Sequence, residues 1–270
     1  MPIPDRPTCV VTGGGSGLGR AFCNQLSRRG ARVVIADIHE DAARDTLAQL
    51  PGADAKVFRC DVAVRAEVEA LARFAEESYG AVDLLINNAG VAVSGDIGAI
   101  PDADWRWIVD INLWGPIYGC EVFVPGMKRR GVGHVLNVAS LAGIANAPRM
   151  GPYNVTKAGV IALTETLHGE LQGTGVGASV LCPSFFPTNI IKAARGAKGD
   201  EASFAQKLME RSPWSADDIA RIALDGCAQG DLHILPHAEG RWFWRMRRFA
   251  PQASLTLSSR LQRRMIRRQG

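Results

Sequence analysis

The sequence predicts an α/β protein: a single doubly wound domain built on a seven-stranded, mostly parallel sheet with helices on both faces. Short apolar runs alternate with helix-length segments as far as about residue 235, and this order is typical of parallel strands joined by right-handed crossovers. The chain has 270 residues, of which 47% are hydrophobic and 21% charged. That is enough for one sizeable core, and it excludes disordered, collagen-like and coiled-coil proteins.

The predicted strands are short and apolar on both faces, as expected for strands that helices cover from both sides. They are residues 8–12, 32–36, 55–59, 83–86, 134–138, 177–182 and 232–235. The helices predicted between them are residues 17–29, 40–50, 65–79, 102–130, 152–172 and 215–229. No linker divides the chain, so we expect one domain over residues 1–240 and a C-terminal extension over 241–270. Residues of about 185–212 break the alternation and predict a substrate-binding lid or loop, with a helical surface insertion as the alternative.

The six cysteines include no CxxC pair and no close Cys/His cluster. This pattern fits neither a disulfide framework nor a structural zinc site, and we predict no metal. The first residues lack a basic segment followed by an apolar one, and no uncharged stretch is apolar enough to span a bilayer. We therefore expect a cytoplasmic protein, with peripheral contact at the inner membrane surface left open by the tail described below.

A glycine-rich turn follows the first strand and opens into the first helix. Residues 12–19 read Thr-Gly-Gly-Gly-Ser-Gly-Leu-Gly, and such glycines let a phosphate approach backbone N–H groups at a helix N-terminus. The second strand ends at Asp37, whose carboxylate can bind both hydroxyls of an adenosine ribose and would repel a 2′-phosphate. No Arg or Lys directly follows Asp37, and Ser16 occupies the loop position where a basic residue could meet that phosphate, so NAD is favoured over NADP. Alternatively, Asp37 caps the next helix.

Polar residues also follow the third and fourth strands, as Asp61-Val62 and Asn87-Asn88-Ala89-Gly90. Ligands bind at the carboxyl ends of the strands in open α/β sheets. The asparagines are therefore candidates for the same site, and a simple turn is the alternative.

Tyr153 and Lys157 lie four residues apart on one face of a predicted helix, so their ends can meet. Ser140 ends the fifth strand, and Asn112 lies in the preceding helix. A phenol has a pKa of ~10, and an ammonium group ~4 Å away at an effective dielectric constant of ~20 would lower that pKa by roughly three units. We therefore expect Tyr153 to act as a general acid or base and Ser140 to hold the reacting oxygen.

Together these motifs resemble those of the short-chain dehydrogenase/reductases, which are NAD(P)(H)-dependent oxidoreductases with a Rossmann-like fold. The resemblance covers about residues 5–240, with the motifs in family order. It implies that Tyr153 is the general acid or base, and that Lys157 lowers its pKa and holds the nicotinamide ribose. By the same likeness, Ser140 would steady the substrate oxygen and Asn112 would anchor a water between Lys157 and solvent.

The resemblance also implies a set of cofactor-binding residues. They are Gly13, Gly17, Leu18, Gly19, Asp37, Asp61, Val62, Asn88, Ala89, Gly90, Tyr153, Lys157, Pro183 and Thr188. The glycines would line the pyrophosphate, and Thr188 would meet the nicotinamide carboxamide. Ser184 replaces the glycine that usually follows Pro183 in the family. We expect strain there if the backbone needs a positive φ, with a slightly shifted nicotinamide end.

Apolar residues dominate the segments expected to line the substrate pocket, which are residues 91–97, 141–150 and 185–212. We therefore predict hydride transfer between NAD(H) and an apolar secondary alcohol or its ketone, by a homodimer or homotetramer. Arg149 would either clamp a carboxylate or lie on the surface. The alternatives are a dehydratase or epimerase with bound NAD, and a non-catalytic NAD-binding regulator. The intact Ser140–Tyr153–Lys157 set argues against the regulator.

The C-terminal extension is strongly basic. Residues 241–270 contain nine arginines and no Asp, Glu or Lys. Residues 1–240 contain the other 22 basic residues and 27 acidic residues, which gives them a net charge of −5. Two apolar stripes have helical spacing: Trp242, Met246 and Phe249, then Leu257, Leu261 and Met265. They predict two amphipathic helices split by Pro251. Such helices fit a docking arm, on a neighbouring subunit or over the active site, or an anionic membrane surface. Nucleic acid is disfavoured because the body is acidic and has no recognition motif.

Overall fold

The computed structural model of the protein describes residues 6–51, 54–188, 190, 194–196 and 206–257. Its seven strands are β1 (Thr8–Thr12), β2 (Arg32–Asp37), β3 (Ala55–Arg59), β4 (Leu84–Asn87), β5 (Gly133–Val138), β6 (Val176–Leu181) and β7 (His233–Ile234). They form one sheet in the order β3-β2-β1-β4-β5-β6-β7, and every pair of neighbours is parallel. The predicted doubly wound α/β fold is thereby confirmed, with β7 two residues shorter than predicted.

The helices cover both faces of this sheet. They are α1 (Gly17–Arg28), α2 (Glu40–Ala48), α3 (Arg65–Tyr79), α4 (Asp102–Val109), α5 (Gly115–Arg130), α6 (Ala142–Ala145), α7 (Gly151–Glu170), α8 (Ala216–Gln229) and α9 (Ala238–Phe249). Apolar residues of α1 and α8 form the core of one layer, and those of α3, α5 and α7 form the core of the other. Successive residues of β1 alternate between the two, since Cys9 and Val11 lie in the first core and Val10 in the second. This alternation explains why the strands are apolar on both faces.

The helix predicted over residues 102–130 is divided by a π-helical turn, Asp110–Trp114, between α4 and α5. Pro116 lies in the first turn of α5 and has no N–H to donate to the carbonyl group four residues earlier. A wider turn accommodates that missing bond. It also carries Asn112, whose side chain is fully buried.

The extension begins with α9, which packs on the body of its own chain. Trp244 joins an apolar cluster that contains Ile144 of α6 and Val160 of α7. After one non-helical residue, Ala250, helix resumes at Pro251 and continues to residue 257. Most of the second predicted helix lies outside the described residues. Among the described residues, no helix is both long and apolar enough to cross a membrane.

Candidate active site

The glycine-rich turn between β1 and α1 packs tightly against the end of β4. A Cβ atom added to Gly13 would lie 2.8 Å from Cα of Ala89, and one added to Gly19 would lie 1.9 Å from the carbonyl oxygen of Gly13. Gly13 also has a φ of +65°, which favours glycine. The side chain of Ser16, at the N-cap of α1, makes no capping hydrogen bond, and the first turn of α1 contains no acidic residue. The helix N-terminus is therefore suited to an anion.

Asn88 connects this turn to β1 and β4. Its Nδ2 atom donates to the carbonyl oxygens of Thr12 at 2.9 Å and of Gly13 at 3.2 Å. Its backbone N–H donates to Oγ1 of Thr12 at 3.0 Å, and that of Ala89 donates to the same oxygen at 3.2 Å. The Asn-Asn-Ala-Gly run is thus more than a simple turn, because it fixes the position of the glycine-rich turn.

Asp37 lies at the end of β2, beside the glycine-rich turn. One carboxylate oxygen accepts the N–H of Gly15, and the other accepts the N–H of His39, both at 2.9 Å. His39, not Asp37, is the N-cap of α2, so the alternative capping role of Asp37 is excluded. Each oxygen keeps further acceptor capacity. At the end of β3, Oδ1 of Asp61 accepts the N–H of Ala63 at 2.9 Å.

Asn112 is bound at both ends of its amide to Val91, just after Gly90. Its Oδ1 accepts the N–H of Val91 and its Nδ2 donates to the carbonyl oxygen of Val91, both at 2.8 Å. A Cβ atom added to Gly90 would lie 3.3 Å from Oδ1 of Asn112 and 3.5 Å from Nζ of Lys157. The structure thus brings Asn112, Gly90 and Lys157 together, with the glycine leaving room between the two side chains.

Tyr153 and Lys157 are both buried on α7, with Nζ of Lys157 5.8 Å from the centre of the Tyr153 ring. Nζ donates to the carbonyl oxygen of Val138 at 2.8 Å. Burial raises the pKa of Tyr153, while a hydrogen bond with Ser140 lowers it less strongly. Burial also lowers the pKa of Lys157, to about 8. Removal of the phenolate from water therefore opposes the lowering of the Tyr153 pKa that was expected from Lys157.

The segment after β6 contains Ser184 at the position where strain was expected. Among the described residues, the only non-glycine residues with a positive φ are Asn146 and Arg149, so Ser184 is unstrained. Its N–H donates instead to Nδ1 of His237 at 3.1 Å. His237 is 3% exposed and is the N-cap of α9. Burial lowers its pKa, which keeps the ring neutral and Nδ1 available as an acceptor. Nearby, Oγ1 of Thr188 accepts the N–H of Ile190.

Tyr153 is surrounded by apolar side chains. It forms a buried cluster with Val93 and Ile108, against which further apolar residues pack, among them Val91, Trp107, Met150 and Ile190. Arg149 pairs with Asp96 at 2.6 Å near the surface, as in the alternative that places it outside the site. The described side chains around the phenol therefore make this part of the site hydrophobic.

Arg195 ties the long segment after β6 to the wall of this cluster. Its backbone pairs with the strand-like run at Val93, and its guanidinium lies 3.7 Å from the centre of the Trp107 ring. The same group donates to Asp104 at 2.9 Å. Only residues 185–188, 190, 194–196 and 206–212 of the predicted lid or loop are described.

His237 and Arg195 were not predicted from the sequence as site residues. Their partners lie 53 and 91 positions away, and His237 comes opposite Ser184 through the register of β6 against β7, in which Leu181 pairs with Ile234. His237 directly precedes a basic amphipathic segment. This position was the one feature of the sequence that indicated a contact between the extension and the body. For Arg195 the sequence offers no such signal.

Comparisons with known proteins agree with this geometry. A family model described as short chain dehydrogenase matches residues 7–199. An oxidoreductase named SadH from Mycobacterium tuberculosis is 32% identical over 238 residues, which cover 86% of each chain. A short-chain dehydrogenase/reductase from Burkholderia phymatum, solved in complex with NAD, has a TM-score of 0.87 at 35% identity and covers 92% of this chain and 95% of its own. A short-chain dehydrogenase from Novosphingobium aromaticivorans has a TM-score of 0.78 at 32% identity, covering 88% of this chain and 83% of its own.

Proposed function

The chain belongs to the short-chain dehydrogenase family of oxidoreductases, and on that premise we propose that it transfers a hydride between NAD(H) and an apolar secondary alcohol or the matching ketone. The observation that carries this proposal is the burial of Tyr153 among apolar side chains with Lys157 beside it. A pocket lined by apolar side chains binds an apolar substrate favourably, and the few polar groups in it orient that substrate.

The residues present fit a nicotinamide dinucleotide. Gly13 and Gly19 leave no space for a side chain, so a pyrophosphate could approach the backbone N–H groups at the start of α1. On this proposal Gly13, Gly17, Leu18 and Gly19 hold the pyrophosphate. Asp61 and Val62 flank the adenine, and the segment from Pro183 to Thr188 holds the nicotinamide. When bound, the nicotinamide ring supplies the hydride acceptor for alcohol oxidation or the donor for ketone reduction.

The choice of NAD over NADP rests on Asp37. Its carboxylate would accept hydrogen bonds from the ribose hydroxyls and repel a 2′-phosphate. The nearby Arg20 is already engaged, since its guanidinium bonds Thr46 at 3.0 Å and the carbonyl oxygen of Gly15 at 2.7 Å. We expect kcat/KM with NAD to exceed that with NADP by about 100-fold, a difference of roughly 3 kcal/mol.

The proton is handled by the chain's own residues. In oxidation, the ionised oxygen of Tyr153 takes the hydroxyl proton of the alcohol, and in reduction the protonated phenol returns it to the ketone oxygen. Ser140 orients the same substrate oxygen by a hydrogen bond. Lys157 supplies a positive charge that favours the phenolate, and Asn112 fixes the backbone at Val91 beside Nζ of Lys157.

A substrate screen tests this proposal. Purified protein is mixed with NAD or NADP and with apolar secondary alcohols or small polyols, and the nicotinamide absorbance is followed. We expect turnover of apolar alcohols with NAD, and a loss of at least about 10³-fold in kcat for Tyr153→Phe with NADH binding retained. Tyr118→Phe, on α5, is the matched control and should behave as wild type. Turnover of polyols alone would refute the substrate class, and normal turnover by Tyr153→Phe would refute the mechanism.

A further inference from the structure

We propose that the outward face of α9, formed by Trp242, Arg245 and Phe249, binds an anionic lipid bilayer. Trp242 is 50% exposed and Phe249 is 88% exposed, and Arg245 between them is also exposed. At 100° per residue these three side chains lie within about 60° of one another around the helix. Contiguous exposed apolar patches rimmed by polar residues mark surfaces that bind proteins or membranes.

A different side of α9 is already used by contacts with the body. Trp244 packs in the cluster with Ile144 and Val160, and the guanidinium of Arg248 lies 4.5 Å from the centre of its ring. Arg248 also pairs with Glu165 of α7 at 3.7 Å, and Arg241 donates to the carbonyl oxygens of Leu235 and Pro236. These contacts fix the rotation of α9, and the outward face is thereby held away from the body.

The charge of this part of the chain suits an anionic surface. From Gly240 onward the sequence contains arginines but no Asp or Glu, whereas residues 1–240 carry a net charge of −5. An anionic membrane would therefore attract the end of the molecule that carries α9 and repel the rest. Helices that lie in a membrane interface combine aromatic residues with Arg or Lys in this way. The 40% exposed Leu255, in the helical turn that follows, adds another apolar side chain.

A second copy of this chain is a poorer partner for the same face. A two-fold dimer places the same patch on both sides of the interface, so each Arg245 and the basic segment around it would meet their own copies. Like charges facing each other oppose association. An anionic bilayer instead offers negative charge together with a place for the aromatic rings.

Binding here would bring the pocket close to the bilayer. Gly240 lies beside Leu141, since a Cβ atom added to Gly240 would be 3.8 Å from Cδ1 of Leu141, and Leu141 directly follows Ser140. Under the proposed function, a substrate dissolved in the membrane would have a short path to Tyr153. Only this last step rests on the proposed function. The lipid binding does not.

Sedimentation with vesicles tests the proposal on the full chain. One vesicle set is phosphatidylcholine alone and the other contains phosphatidylglycerol at about one third of the lipid. The variant carries Trp242→Ser, Arg245→Ser and Phe249→Ser together. The control carries Val64→Ser at the N-cap of α3 and Arg73→Ser within α3. These changes remove an exposed apolar residue and an exposed arginine from another surface. Activity on a water-soluble apolar alcohol is measured without vesicles.

We expect binding to the anionic vesicles only, a loss of about tenfold or more in the triple variant, and weaker binding in high salt. The control should bind like wild type, and all three proteins should share the same activity in solution. Absent binding, or equal binding by the triple variant, would overturn the proposal. So would a change of oligomeric state in the triple variant without lipid binding, which would assign the face to a second copy. Vesicle binding by a protein inactive on every alcohol would leave this proposal standing and reject the proposed function.

Discussion

Two regions of the molecule are held in place in different ways. The glycine-loop region comprises residues 12–19 and 87–90. The C-terminal region comprises residues 183–188, Arg195 and His237–Phe249. In the first, the turn after β1 and the turn after β4 contact each other because the two strands are neighbours in the sheet. In the second, the segments that follow the neighbouring strands β6 and β7, and the long segment at Arg195, are joined to their surroundings by single side chains, such as His237 to Ser184. Close packing between two turns fixes the first region, whereas a few specific side-chain contacts fix the second.

This difference predicts how each region responds to substitution. Atoms in the glycine-loop region approach to within 3 Å of positions where a Cβ would stand, so added volume is not tolerated. The C-terminal region contains hydrogen bonds and ion pairs that can be removed one at a time, each with a limited cost. Large effects are therefore expected from small additions in the first region, and graded effects from deletions in the second.

The largest effect is expected for Gly19→Ala. The added Cβ would lie 1.9 Å from the carbonyl oxygen of Gly13 and 2.7 Å from Nδ2 of Asn88, so the turn must move and its N–H groups with it. We expect kcat/KM for NAD to fall at least about 100-fold, as measured by initial rates and by NADH fluorescence titration. Gly169→Ala is the control, since nothing lies within 4 Å of the added atom. Unchanged cofactor binding in Gly19→Ala would show that the turn is not the binding site.

The pH dependence of the proposed reaction tests the proposed acid–base pair, Tyr153 and Lys157. Because burial raises the pKa of Tyr153, the phenolate needed for alcohol oxidation becomes tenfold more abundant with each pH unit below that pKa. We expect kcat for oxidation to rise about 100-fold between pH 7 and 9, less where Lys157, with a pKa of about 8, loses its charge. Ketone reduction needs the protonated phenol and should stay nearly constant over this range. If kcat for oxidation is already constant above pH 7, the pKa of Tyr153 is lowered, as the spacing of Tyr153 and Lys157 predicts.

The strands and the residues at their ends can be predicted from the sequence, whereas contacts between distant segments cannot. The seven strands are predicted from apolar runs of strand length. The polar residues at their ends are brought together because parallel strands end on one edge of the sheet. The π-helical turn at Asp110–Trp114 was missed because the apolar pattern of residues 102–130 continues through it, and Pro116 was the only indication. The burial that raises the pKa of Tyr153 was not predicted because it depends on side chains such as Val93 and Ile108, which are distant in sequence. His237 escaped prediction for the same reason.

A graded effect in the C-terminal region is expected for His237→Leu. The substitution leaves the partly buried N–H of Ser184 without its acceptor, which costs about 1 kcal/mol. If this segment holds the nicotinamide, KM for NADH should rise about tenfold while kcat changes less. His237→Asn keeps an acceptor close to the position of Nδ1 and should recover most of the loss. A purely structural role would instead lower the unfolding temperature of both variants and leave KM unchanged. His168→Leu, on α7, is the control.

The smallest effect is expected for Arg195→Met, which keeps an unbranched apolar side chain and removes the guanidinium group with its charge. The ion pair with Asp104 joins partly exposed groups, and such pairs contribute about 1 kcal/mol or less. Contact with the Trp107 ring adds a similar amount. Since Trp107 packs against the cluster around Tyr153, loosening this contact should raise KM for the alcohol about threefold and leave KM for NAD unchanged. The control is Arg29→Met, which breaks a comparable surface pair with Asp225 and should change neither constant. Equal changes in both constants would mean that the contact of Arg195 with Trp107 is coupled to the glycine-loop region and does not act on the substrate side alone.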